Sequence, residues 1–129
     1  MNRKGSVNFC TIVNCMDGRV QLPVINYMRK RFGVEYVDSV TEPGPNKILA
    51  ENSPPDLVLS ILRRVEISVR KHGSKIIAVT GHHDCAGNPA SEDEQINQIK
   101  KSVLLLKEKF PETEVHGLWI NENWEVKGI

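Results

Sequence analysis

Two short segments carry the residues best suited to chemistry: Cys15-Met16-Asp17-Gly18-Arg19 and, much later, His82-His83-Asp84-Cys85. Together they offer two thiols, an imidazole, and a carboxylate beside a guanidinium. Zinc takes thiolate and imidazole readily; a closed structural site uses four protein ligands, whereas a catalytic one uses three and leaves a position for water or substrate. Cys15, His82 and Cys85 therefore read as a three-ligand zinc site with one position open. The His-x-x-Cys spacing lets one loop deliver two ligands, and thiolates with an imidazole and an oxygen donor favour zinc over iron or copper. The competing reading makes Cys15 and Cys85 buried small hydrophobes and His82 a cap-forming loop residue.

Asp17 and Arg19 add a second function. Residues two apart in an extended segment face the same side and can form a bidentate carboxylate–guanidinium pair. An oriented carboxylate beside the metal could accept a hydrogen bond from bound water, or could itself occupy the fourth corner and shut the site. Cys10 lies five residues before Cys15 in the same predicted strand, so the pleat turns the two to opposite faces and makes Cys10 a core residue. Trp119 and Trp124 read as packing and edge residues. A metal-free cysteine enzyme fits less well, because Cys-x-x-x-Arg is too short for a Cys-x5-Arg phosphate loop and no Gly-rich phosphate motif appears.

These residues need elements to hold them. Val7 to Cys15 is short, β-branched and apolar, as a buried parallel strand would be. Leu22 to Phe32 has helical spacing, with Pro23 in a first turn and Gly33 as a stop. Val34 to Val40 reads as a second strand, and Thr41-Glu42-Pro43-Gly44-Pro45-Asn46-Lys47 as a loop long enough to be functional. Leu57 to Lys71 carries an i, i+3, i+4 apolar stripe and closes near Gly73. Ser74 to Gly81 is a continuous apolar strand leading straight into His82. Ser91, followed by Glu92-Asp93-Glu94, caps a helix through Phe110, and Pro111 ends it. Val115 to Ile120 gives a last core strand, and Asn121-Glu122-Asn123 turns into an antiparallel edge segment at Trp124-Glu125-Val126.

The alternation predicts one three-layer α/β/α domain over residues 1–129, its mostly parallel sheet ordered 2-1-3-4 with a short antiparallel C-terminal edge strand. That order makes the first and third strands neighbours, with the topological switch point between them, where open α/β sheets bind ligands. Cys15 ends the first strand; His82 and Cys85 follow the third.

Composition narrows the alternatives. The chain has 129 residues and a net charge of +1, from 17 basic and 16 acidic side chains well interspersed. Such a balance gives no nucleic-acid stripe or membrane-binding face, and Arg29-Lys30-Arg31 and Arg63-Arg64 read as solvated helix faces. The N-terminal residues show no secretory or spanning segment, and three cysteines suit a reducing, cytoplasmic compartment better than a disulfide scaffold.

Cys15-x-Asp17-x-Arg19 with Gly81-His82-x-x-Cys85 resembles the β-class carbonic anhydrases, and the likeness covers most of the chain, including the closing Gly117-Leu118-Trp119 strand. The resemblance implies one Zn2+ per chain on Cys15, His82 and Cys85, with Asp17 and Arg19 as the catalytic dyad beside the metal-bound water. It implies reversible hydration of carbon dioxide to bicarbonate by a zinc-bound hydroxide, with His83 or His116 as candidate proton carriers. It also implies a homodimer or higher homo-oligomer, for which the apolar residues between Ile48 and Val58 would supply surface. Two other functions share the residues: hydrolysis of carbonyl sulfide or carbon disulfide, and a non-catalytic zinc domain closed by Asp17. The chain is short for the family, without an N-terminal helical arm, and its Thr41–Asn46 segment replaces the usual Arg-Asn-Ala-rich loop.

Overall fold

The computed structural model describes residues 8–129. Val7 of the first expected strand, and the N-terminal residues on which the expectation of no secretory leader rests, lie outside them. In order come β1 (Phe9–Cys15), α1 (Gln21–Phe32), β2 (Tyr36–Glu42), α2 (Pro45–Glu51), α3 (Pro55–Lys71), β3 (Ile76–His82), α4 (Glu92–Lys109), β4 (Glu114–Ile120) and β5 (Val126–Gly128). A 3-10 turn at Gly18–Val20 joins β1 to α1.

The sheet runs β2-β1-β3-β4-β5. Its first four strands are parallel, and β5 pairs antiparallel with the end of β4. This is the expected order, and the reason lies in burial: all seven residues of β3 are buried, as a central strand covered on both faces requires. On one face Val13, Ile77 and Val79 pack with Ile61 and Val65 of α3 and Ile99 and Leu106 of α4. On the other, Ile12, Ala78 and Leu118 pack with Val24 and Met28 of α1. A buried hydroxyl chain ties β1 to α3, with Thr11 Oγ1 2.6 Å from Ser68 Oγ and Ser68 Oγ donating to Asp38 at 2.7 Å.

The stretch after β2 departs from expectation. Thr41 and Glu42 still belong to β2, which runs two residues later than read from sequence, and Pro45 opens helix α2 instead of prolonging a loop. Proline is tolerated at the first helical position because the N–H it lacks would have had no partner there. Gly44, at φ 64°, supplies the left-handed turn that precedes it. Packing of α2 then removes the apolar surface expected for a partner: Leu49 and Val58 are core residues and Ile48 packs against them. Of that segment's large apolar side chains, Leu57 is the exposed one. Among the described residues no helix is long and apolar enough to cross a membrane.

Helix α4 approaches β4 so closely that a Cβ on Gly117 would stand 2.5 Å from Ile99 Cγ2. Gly117→Ala should therefore cost about 1–3 kcal/mol by overpacking. Urea titration should show a lower midpoint at unchanged slope; an unchanged midpoint would mean that α4 yields without cost.

Candidate metal centre

Pairing of β1 with β3, Thr11 opposite Ile77 and Val13 opposite Val79, brings their C-terminal ends together. Cys15 closes β1, His82 closes β3 and Cys85 follows in the next turn. One ligand atom from each lies within 4.8 Å of the others, and all three residues are buried. The strand order and the ligand spacing thus meet at the switch point.

Two features test whether this cluster fits a zinc ion. The sulfurs of Cys15 and Cys85 are 3.8 Å apart, close to the roughly 3.8 Å that two Zn–S bonds of about 2.3 Å subtend at a tetrahedral angle. His82 Nδ1 lies 2.8 Å from the His83 carbonyl oxygen. Only a protonated Nδ1 can donate there, so the tautomer is set and the Nε2 lone pair is left free, as in metal-bound histidines. Nε2 is buried and faces the Cys15 sulfur without completing a hydrogen bond. A buried acceptor of this kind is costly unless something fills it. The residues fit the ion.

The surroundings favour negative charge on sulfur. The Cys85 thiol, then His82 and the N–H groups of Gly44 and Asp17, hold Cys15 well below the ordinary thiol range against its burial. Cys85 moves the other way, pushed up by the Cys15 sulfur and by burial, because two thiolates this close repel. Burial pushes the His82 imidazole down, but the Cys15 sulfur, the His83 carbonyl and Asp17 outweigh it and the net direction is up. A cation among them would let both sulfurs ionise.

Asp17 and Arg19 pair as expected, but not along an extended segment: Arg19 lies in the 3-10 turn Gly18–Val20, which Asp17 caps. Asp17 Oδ1 accepts from the Arg19 backbone N–H at 2.8 Å and from Nε at 3.1 Å, while Oδ2 accepts from Nη2 at 2.7 Å. Those bonds hold the Asp17 carboxyl down at about 2. Arg19 reaches further than sequence reasoning foresaw, with Nη1 donating to Asp84 Oδ2 at 3.3 Å and Nη2 to the Asp84 carbonyl at 3.1 Å.

Several holding residues carried no motif. Buried Asn14 accepts from Thr80 Oγ1 of β3 at 2.7 Å and from the Cys15 N–H at 3.0 Å, and donates to the Val20 carbonyl at 3.2 Å. Gln21 Nε2 spans the carbonyls of Cys15 and Asp17 at 2.8 and 2.7 Å. Buried Gln95 of α4 serves both backbone groups of His82, accepting from its N–H at 3.2 Å and donating to its carbonyl at 2.9 Å. Gly87 and Asn88 point N–H groups at the Cys85 sulfur. A polar residue inside an otherwise apolar run was the available signal for Asn14. Gln95, on a helix, gave none.

The remaining candidates separate. Cys10 is fully buried, and burial with the nearby Asp38 charge pushes its thiol up to about 12. Five residues of strand, about 16 Å, separate it from Cys15. His83 is exposed at the site's mouth. His116, opposite Ala78, lies tilted against Phe32, far down β4 from the Ile120 that pairs with His82. Trp119 is a core residue. Trp124 instead lies over Arg19, with Cζ 4.4 Å from its ring centroid.

The sequence matches the family described as "Putative carbonic anhydrase" over residues 5–129. No curated protein matches it. Among solved structures it is similar to β-carbonic anhydrase isoform I of the protozoan Trichomonas vaginalis, at 22% identity and a TM-score of 0.63, over 96% of this chain and 83% of that one. It is also similar to the tetrameric β-carbonic anhydrases of the ascomycete Sordaria macrospora, at 17% identity and a TM-score of 0.57, over 98% and 83%. A third likeness is to the β-carbonic anhydrase of Aspergillus fumigatus, at 15% identity and a TM-score of 0.55, over 95% and 74%. At these identities the structures speak for the fold, and the match across nearly the whole sequence speaks for descent: the chain belongs to the carbonic anhydrase family so described.

Proposed function

We propose that this chain holds one zinc ion on Cys15, His82 and Cys85 and hydrates carbon dioxide reversibly to bicarbonate in the cytoplasm. The observation that carries the reading is the contrast between neighbours. Three donors converge on one point, while the carboxylate two residues from Cys15, Asp17, has both oxygens drawn to Arg19. Family membership and the β-carbonic anhydrase fold support the reaction class. A bound zinc ion supplies the Lewis acidity that brings the pKa of a coordinated water to about 7.

The chain's own residues do the rest. His83's carbonyl orients His82, and Gln95 and Asn14 fix the strand ends, so the donors are set before the ion arrives. Asp17 accepts three hydrogen bonds from Arg19, and a carboxylate has room for about four. Its remaining lone pair on Oδ2 can accept a proton-bearing oxygen of the reactant and orient it. A closed four-ligand site would have to take that same lone pair, from a carboxylate whose other places Arg19 already holds. His83, exposed beside the cluster, is placed to relay a proton to solvent.

The Sordaria relatives are described as tetrameric, and we infer that this chain also assembles into homodimers or larger homo-oligomers. Three free cysteines, all buried, suit a reducing compartment.

Stopped-flow assays of the zinc-loaded protein should show carbon dioxide hydration that chelation abolishes. Hydration no faster than that of the metal-free protein, with sulfide released from carbonyl sulfide or carbon disulfide, would move the function to the hydrolases. Metal analysis should find Cys15→Ser and Cys85→Ser depleted of zinc and Cys10→Ala fully loaded; the reverse pattern overturns the ligand set. Asp17→Asn, which keeps the shape but loses the charge and one acceptor, should lower kcat about 10–100-fold while retaining zinc. Retained activity would remove Asp17 from the mechanism.

A further inference from the structure

The loop Glu122–Trp124 between β4 and β5 closes on Asn121. Asn121 N donates to the Glu125 carbonyl at 3.0 Å, and Trp124 N to the Asn121 carbonyl at 2.9 Å. Asn121 Oδ1 accepts from the N–H groups of Asn123 and Glu125 at 2.9 and 3.0 Å. A three-residue hairpin of this form puts its third residue in the left-handed region, and glycine is what belongs there. Here the residue is Trp124, at φ 61°. For a bulky side chain that is an outlier, and such outliers persist where the surroundings over-determine them, often at functional sites.

What the unusual choice achieves is visible at the other end of the side chain. The half-buried indole lies over the Arg19 guanidinium, 4.4 Å from Cζ to ring centroid, and its centroid is 6.4 Å from those of His82 and His83. Asp17 and Asp84 already take the edges of that guanidinium. Asp84 is itself left-handed, at φ 59°. Trp124 takes a face. Without it Arg19, nearly half-exposed along its side chain, would be free to tilt, and the two-pronged grip on Asp17 depends on coplanarity.

We propose that Trp124 is a positioning residue for the Asp17–Arg19 pair: its left-handed backbone aims the indole at the guanidinium face and so keeps the Asp17 carboxylate held on Arg19. The inference rests on the metal-centre reading above for its consequence in catalysis, but the clamp itself is a matter of geometry. A glycine at this position would satisfy the hairpin and leave Arg19 uncovered. The alternative is that Trp124 only packs against the apolar cluster it borders, which includes Val20 and Ile120.

Three variants separate these readings: Trp124→Gly, which suits the turn; Trp124→Phe, which keeps an aromatic face; and Arg19→Gln. Trp124→Gly should lower kcat/KM about two- to five-fold, the equivalent of the ~0.5–1 kcal/mol of an exposed cation–π contact, with the loss in kcat and KM unchanged. Trp124→Phe should restore most of it, and Trp124→Gly should cost nothing further in the Arg19→Gln background. Equal losses in both backgrounds, or no loss in the first, overturn the proposal. Two readouts do not depend on turnover. The Arg19 Nε–H resonance should carry an upfield ring-current shift that Trp124→Gly abolishes. The visible spectrum of the cobalt(II)-loaded protein at neutral pH should change in Trp124→Gly in the same direction as in Arg19→Gln. If wild-type protein fails to hydrate carbon dioxide, the functional reading falls while these two spectra still decide the clamp; an unshifted Arg19 resonance or an unchanged cobalt spectrum overturns it.

Discussion

Two thiols and an imidazole buried within 4.8 Å of one another are a constraint the rest of the molecule must satisfy. Two thiolates this close repel, so neither sulfur ionises freely beside the other, and the buried imidazole nitrogen facing Cys15 completes no hydrogen bond. Burial makes both costs larger. The groups nearest the cluster are therefore donors: N–H groups of Gly44 and Asp17 toward Cys15, and of Gly87 and Asn88 toward Cys85. Such N–H groups stabilise thiolate whether or not an ion is present, and an ion gains from thiolates already formed.

Backbone donors can reach buried sulfurs only if loops approach closely, and that requirement explains the glycines around the site. A Cβ on Gly44 would lie 2.8 Å from Asn88 Cβ, and one on Gly87 would lie 2.6 Å from Pro43 Cβ. The two loops are in van der Waals contact through positions that admit no side chain. Gly81, one residue before His82, obeys the same rule toward Asn46 and Gln95. The hold on His82 and the packing of α2 against α4 are one feature: Asn46 of α2 donates to Gln95 of α4, and Gln95 donates to the His82 carbonyl.

Much of this was legible in the sequence. The parallel order followed from the alternation of elements, and convergence of Cys15, His82 and Cys85 followed from that order. The Asp17–Arg19 pair was expected from its two-residue spacing, but it is a capped 3-10 turn and not an extended segment that brings the two together. Helix α2 was hidden because Pro43-Gly44-Pro45 reads as a breaker, although Pro45 stands at the position where a helix accepts proline. Gln95, Asn46 and Asn88 were hidden because a buried amide on a helix or loop looks like any surface amide until the tertiary fold supplies its partners. Trp124 was read as an edge residue because its place in the turn sets the backbone, while its function depends on where a ring projects across the strand ends. Periodicity carries information about which face is buried; it carries little about which atom a long side chain meets.

The treatment of Arg19 shows why a pair that is weak by ordinary measures can still govern a site. Arg19 is exposed, and an exposed ion pair contributes little to stability because water competes for both partners and two long side chains lose freedom. Here that competition is met by enclosing one guanidinium from several sides, with Asp17 and Asp84 at its edges and an indole over one face. Neither Asp84 nor Trp124 sits in relaxed backbone, since both are left-handed. Local conformational energy is thus spent on orientation and not on stability. The consequence falls on Asp17: a carboxylate adjoining three side chains that could hold a metal ion is drawn toward that ion unless a stronger claim is made on it, and the enclosure of Arg19 makes that claim.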